Sequence, residues 1–203
     1  FWTGPERINP LYGSRYSMDL LRRDQPEKFL VGFYGMLAQG FTRDTFLGGE
    51  GCTLDPVDAG GRFFYCPPNS AANGFFLGML RNQLVQELDM DDDGKPETLR
   101  LAFATSRRWM EDGKSLAVQK APTAFGEVSF QMESRLKDGK VLVQLDLPEE
   151  RTPEKTFLRL RLPEGWKIAS CVAKGQKLPF QTDGTTDISS FKGKLEMEYQ
   201  VTR

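Results

Sequence analysis

From Phe75 to Leu88 the chain places apolar residues on nearly every side of a helix. Phe75, Phe76, Leu77, Met79, Leu80, Leu84, Val85 and Leu88 cover most of the circumference. A helix that is apolar all round is an interior helix. It is expected to lie among other helices or beneath a packed sheet, and two or three helices alone cannot surround it. Asn69 or Ser70 is the expected cap, with the helix running from about Ala71 to Leu88.

Upstream, Asp24-Gln25-Pro26-Glu27 reads as a helix start, with Asp24 as cap and Pro26 in the first turn. The helix is expected to run to about Gln39, with Phe29, Leu30, Phe33, Met36 and Leu37 on one face and Gly40 as its stop. A shorter helix is expected over Ser17 to Arg22. Residues 40 to 68 form a long glycine-rich connection, and a structureless loop of that length is usually functional.

Near residue 98 the period changes from helical to two. Leu101 and Phe103 alternate with small or polar residues, as do Val128, Phe130 and Met132. Val141, Val143, Leu145 and Leu147 answer them across Lys137-Asp138-Gly139-Lys140, a strong hairpin signal. Leu158, Leu160 and Leu162, the turn Pro163-Glu164-Gly165, the run Lys167 to Ala173, and Leu195, Met197, Tyr199 and Val201 complete the pattern. Strands at roughly ten-residue spacing predict an antiparallel β-sandwich.

Composition narrows the function. The 203 residues are 39% hydrophobic, with 27 basic and 28 acidic side chains and a net charge of −1. No basic stripe stands out, which argues against nucleic acid as partner. No run approaches the ~18 apolar residues of a membrane span. The chain has no histidine, so it cannot build a Ser-His or Cys-His triad or a His metal site. Its three cysteines are Cys52, Cys66 and Cys171. Cys52 and Cys66 bracket one loop and could pair in an oxidising compartment, although two buried free thiols fit their apolar neighbours better. The chain opens at Phe1 and reads as a fragment or processed product.

Several stretches carry a resemblance: Gly48-Gly49-Glu50-Gly51, Tyr65 to Ala72 (YCPPNSAA), Leu80 to Glu87, Ser106-Arg107-Arg108-Trp109, Leu158 to Gly165 and Ile188 to Gly193. Together they resemble the C-terminal portion of a large bacterial glycosidase-like protein of the (α/α)6-toroid, or six-hairpin, type. The resemblance covers about residues 17 to 203. It implies an α+β, multi-part chain: a helical segment over 1–98, the last hairpin of the toroid, then an antiparallel β-sandwich over 99–203. It also implies that most of the toroid lies upstream. In such toroids the loops entering inner helices line the active site, so residues 40–68 would be one of these loops and Glu50 resembles the general base of some inverting members. Gly48, Gly49 and Gly51 would let backbone approach a ligand, and Asp55, Asp58, Arg62 and Tyr65 are candidate sugar contacts. Glycosidic cleavage needs two carboxylates, and no partner for Glu50 can be assigned.

Three further patterns bear on ligands. Asp89, Asp91 and Asp93 with Gly94 match the opening of a calcium loop, with Glu97 at its ninth position, but the twelfth is Arg100 where a bidentate acid belongs. A solvated acidic turn is the favoured reading, and no other cofactor is indicated. Glu50-x-Cys52 has a spacing seen among zinc ligands of one arabinose-cleaving family, but too few ligands accompany it. Trp2, Trp109 and Trp166 could stack on sugar rings, although packing fits each better.

The expected function is therefore that of the C-terminal part of a carbohydrate-active protein, a glycoside hydrolase by resemblance, inactive in isolation. Its expected partners are carbohydrate and either the rest of a parent chain or a second copy through the helices. The alternatives are a non-catalytic carbohydrate-binding or assembly module, and part of a polysaccharide lyase. The compartment is unknown, with a periplasmic or secreted one favoured over the cytoplasm.

Overall fold

The computed structural model describes residues 7–54 and 61–203. The chain divides into two compact units, Phe1–Asn82 and Gln83–Arg203. Among the described residues 26% are helical, in three α-helices and two short 3-10 turns, and thirteen strands form three sheets. This overturns the expected helical-hairpin segment of an (α/α)6 toroid: the fold is mostly β.

The first unit holds α1 (Pro10–Arg22), α2 (Pro26–Gln39) and most of α3 (Ser70–Leu84). It also holds a small antiparallel sheet of β1 (Arg7–Ile8), β2 (Gly51–Thr53) and β3 (Phe64–Tyr65), in that order. The helix α1 is longer than expected, starting on Pro10. Asp24 does not cap α2. It takes a left-handed conformation (φ +55°) and ends α1. Its N–H donates to the Leu21 carbonyl and the Gln25 N–H to the Leu20 carbonyl, the two bonds of a Schellman motif. The chain then re-enters a helix at Pro26, whose missing N–H costs nothing there. Phe29, Phe33 and Met36 are buried as the periodicity requires.

The last helix is the largest departure. Asn69 caps it, accepting from the Ala72 N–H at 2.9 Å. Met79 and Ala72 are buried, but Leu77 is 63% and Phe75 39% exposed. The helix is wetted on one flank, not interior. It stops at Leu84, and Val85 to Leu88 become strand β4. The short run Val-Gln-Glu-Leu satisfies either period. What decides is the partner: the Ala102 N–H takes the Leu84 carbonyl at 2.7 Å, and the residues after it pair with a neighbouring strand.

The second unit is a sandwich. One sheet has the order β11-β10-β13-β8-β7-β6, from β6 (Ser115–Thr123), β7 (Gly126–Arg135), β8 (Lys140–Leu147), β10 (Lys167–Ala173), β11 (Gln176–Leu178) and β13 (Gly193–Thr202). The other has the order β12-β9-β5-β4, from β4 (Val85–Leu88), β5 (Thr98–Leu101), β9 (Lys155–Arg159) and β12 (Thr185–Asp187). The β5–β9 pair is parallel, so the sandwich is not purely antiparallel. The β7–β8 hairpin closes where Asp138-Gly139 placed it, with Gly139 at φ +70°. Its register sets Phe130 opposite Leu145 and Met132 opposite Val143. These residues share one core with Leu99, Leu101, Leu158 and Leu160 of the other sheet. Each such fully buried side chain contributes about 1.5–3 kcal/mol.

The alternation Leu158-Arg159-Leu160-Arg161-Leu162 sends leucines inward. Arg159, only 4% exposed, is held by Asp183 at 2.6 Å and the Thr185 hydroxyl at 2.7 Å, with its guanidinium 3.9 Å from the Phe103 ring centroid. A charge this buried is tolerable only with such partners.

Candidate functional site

Glu50 lies beside a hollow of about 240 Å³ in the first unit. Three short strands build it. Ile8 pairs with Cys52, and Gly51 with Tyr65, which brings the chain before α1 against both arms of the glycine-rich segment. The Glu50 N–H donates to the Tyr65 carbonyl at 2.9 Å, fixing the backbone under the carboxylate. From the first turn of α1, the Tyr12 hydroxyl donates to Glu50 Oε1 at 3.0 Å. Arg7, Asn9, Phe63 and Tyr65 complete the rim. Tyr12 is 52%, Phe63 43% and Tyr65 42% exposed, so three aromatic rings stand around one carboxylate.

The electrostatics follow from that carboxylate. The hydrogen bond to Glu50, and then its negative charge, raise the Tyr12 phenol above its ordinary value. The Tyr65 phenol is also raised, first by its side-chain bond with Cys66 and that group's charge, then by Glu50. Both phenols hold their protons more firmly than free tyrosine does, so neither is suited to act as a base at neutral pH.

Two of the glycines make room for side chains of the protein itself, and Gly51 also lines the hollow. A Cβ on Gly48 would fall 2.5 Å from Asn73 Oδ1, and one on Gly51 would fall 2.7 Å from Asn9 Oδ1. They admit the protein's own asparagines. The Gly48 N–H donates to Asn73 Oδ1 at 3.0 Å, tying the segment to α3. The segment 40–68 is also not structureless where it is described, since it contains β2, β3 and a bridge from Phe41 to Gly48.

Of the expected sugar contacts, Tyr65 lines the hollow and Arg62 does not. The Arg62 guanidinium donates to the Thr53 carbonyl at 2.8 Å and to both the carbonyl and the side-chain oxygen of Gln39. It clamps the β2–β3 arm to the C-terminal end of α2, where a cation also suits the helix dipole. Asp55 and Asp58 lie outside the described residues, as does Trp2. Tyr12, Arg7, Asn9 and Phe63 were not legible as site residues. Tyr12 and Tyr16, one helical turn apart and both exposed, were the available hint.

Cys52 and Cys66 are free thiols, Cys52 buried and Cys66 exposed. Burial pushes the Cys52 thiol up, against the nearby Arg62 charge. The Cys52 thiol donates to the Gln39 carbonyl at 3.0 Å. Among the described residues no metal-like cluster includes Glu50 or either of these cysteines. Such a cluster does form at the start of the second unit, where carboxylate oxygens of Asp89, Asp91 and Glu97 lie within 4.8 Å of one another. Asp93 is not in it; its carboxylate accepts from the Lys95 N–H at 2.8 Å. Oxygens so arranged suit a hard divalent cation such as calcium. Arg100, at the twelfth position, lies in β5 with its guanidinium 4.9 Å from the Phe103 ring centroid. Asp89 also organises the turn, accepting from the N–H groups of Asp93 at 3.1 Å and Gly94 at 2.7 Å. Replacing it (Asp89→Ala) should cost about 1 kcal/mol in the absence of any metal, read as a lower urea midpoint with unchanged slope.

Comparison with protein-family models and with curated proteins finds no match to the chain.

Proposed function

We propose that the Glu50 hollow binds a saccharide, and that this chain contributes carbohydrate recognition, not cleavage, to the processing of a glycan. The observation that carries this reading is the carboxylate held by Tyr12 within a ring of exposed aromatics. A pyranose presents hydroxyl groups at its edge and a face of C–H bonds. Glu50 accepts from the hydroxyls, Arg7 and Asn9 donate to them, and Tyr12, Tyr65 and Phe63 cover the face. Among the described lining residues Glu50 is the one carboxylate. Hydrolysis requires a second across the scissile bond, about 5–5.5 Å away for retention or about 6.5–9.5 Å for inversion. A lyase reading is less favoured because Tyr65 has no histidine to work with in this chain.

Affinity electrophoresis and calorimetry against a panel of neutral oligosaccharides test the reading. Binding should fall about tenfold in Glu50→Gln and in Tyr65→Ala, the loss of one charged hydrogen bond or one ring contact. A panel without ligands, or a Glu50→Gln variant that binds like wild type, would refute saccharide recognition here. Cleavage of a glycoside by the chain alone, abolished in Glu50→Gln, would refute recognition without catalysis.

A further inference from the structure

We propose that the second unit carries a separate site for an acidic saccharide, a pyranose bearing a carboxylate, at the rim of the sandwich around Trp166 and Phe180. The strands β11 and β12 end their respective sheets, and among the described residues no strand closes the sandwich between these two edges. The chain crosses from one to the other through Phe180, which bridges to Thr186. Beside this crossing is a hollow of about 420 Å³, within the ~300–1,000 Å³ usual for small-ligand sites. Trp166 and Phe180 pack against the core and also line the hollow, both half-buried.

The polar groups of the rim divide into two sets. Asp183 is spent within the protein: one carboxylate oxygen takes Arg159 at 2.6 Å, the other the Thr185 N–H at 2.9 Å. Arg107 donates to the Leu162 carbonyl at 2.9 Å. The side chains of Lys167, Gln181 and Thr182 make no hydrogen bond or ion pair to any described residue, and all three are exposed on the rim. The unspent groups are therefore one cation, one amide and one hydroxyl beside two aromatic rings. The rings fit the C–H face of a sugar, the amide and hydroxyl fit its hydroxyls, and the ammonium fits a carboxylate.

The loop that presents them is pre-set. The Gln181 N–H donates to the Thr185 carbonyl at 2.8 Å, and the Gly184 N–H to the Gln181 carbonyl at 2.9 Å. Gly184 has φ +89°, and a Cβ there would lie 2.2 Å from the Leu160 carbonyl oxygen, so only glycine fits. A loop held in one conformation loses little entropy when a ligand binds.

The test is amide and indole chemical-shift mapping of the whole chain with trigalacturonate, triguluronate and a chondroitin tetrasaccharide, with galactotriose as the neutral control. At least one uronate should shift the Trp166 indole and residues 181–184, with galactotriose at least tenfold weaker. In Lys167→Ala that preference should vanish, and in Trp166→Ala or Gln181→Ala affinity should drop about tenfold; the two exposed rim variants remain informative if Trp166→Ala misfolds. The proposal is overturned if none of the uronates shifts residues 160–184, if galactotriose binds as tightly as they do, or if Lys167→Ala leaves the preference intact. Shifts confined to residues 7–65 would also overturn it, while supporting the Glu50 site.

Discussion

Phe33→Ala should destabilise the first unit by about 3–5 kcal/mol. Phe33 is 3% exposed and sits at the middle of a run of rings. It stacks on Phe29 of its own helix at 6.0 Å and on Phe76 of α3 at 4.9 Å, and Phe76 in turn meets Phe41 edge-on at 4.9 Å. This run joins α2 to α3 and to the start of the glycine-rich segment. A unit of about 80 residues has roughly 4–12 kcal/mol in total, so the loss removes much of its stability. Hydrogen exchange should accelerate over residues 26–39 and 70–82. It should remain slow in β7, β8 and β13, whose core cluster includes no residue before Leu84. Unchanged exchange in the helices would mean the rings are not what holds them together. Saccharide binding at Glu50 should weaken in the same variant, because Gly48 and Asn73 locate the site from α3.

Tyr199→Phe should cost the sandwich about 1–3 kcal/mol and remove much of its alkaline sensitivity. Tyr199 and Thr186 are both fully buried, and their hydroxyls meet at 2.9 Å. That bond ties β13 of one sheet to β12 of the other. Removing the phenol hydroxyl leaves the threonine without this partner in a core that offers water no access. Burial, and then the neighbouring Cys171, push the Tyr199 phenol well above its ordinary value of 10.0. The sign follows from proton binding. Above about pH 10 the unfolded chain releases a proton that the folded chain still holds, so folded stability is complete below that pH and falls as pH rises further. Burial also raises the Cys171 thiol, with the same sign. Denaturant midpoints measured from neutral pH to above pH 10 should fall steeply for wild type and less steeply for Tyr199→Phe. Parallel curves would show that Tyr199 does not carry the dependence.

Much of the second unit was legible because its cues are local. Asp138-Gly139 and the alternating runs on either side settle the β7–β8 register, since a one-residue slip would turn Phe130 and Leu145 to solvent. The parallel β5–β9 pair was not legible. It joins residues more than fifty positions apart, and nothing in the short run Thr98–Leu101 distinguishes a parallel from an antiparallel neighbour. The toroid expectation failed over Phe75–Leu88 for a related reason. Hydrophobicity on all sides does not say which side is covered, and Leu77 stands 63% exposed while Val85 serves a strand. Asp24 and its neighbours resemble a capping box, which points to the start of one helix. Two backbone bonds to the preceding helix outweighed that pattern.

For the candidate site, the sequence alone determined the chemistry available: an acid among glycines, tyrosines close at hand, and no histidine anywhere. It also determined that a helix begins at Pro26 and that a hairpin turns at Asp138-Gly139, because those depend on a few adjacent dihedrals. Only the tertiary structure decided which groups meet. Tyr12 reaches Glu50 across 38 positions, Arg62 turns away to Gln39, and Glu97 replaces Asp93 beside Asp89 and Asp91. Those outcomes depend on long-range pairing and on competition among buried partners for the same hydrogen bonds, which neighbouring residues do not encode.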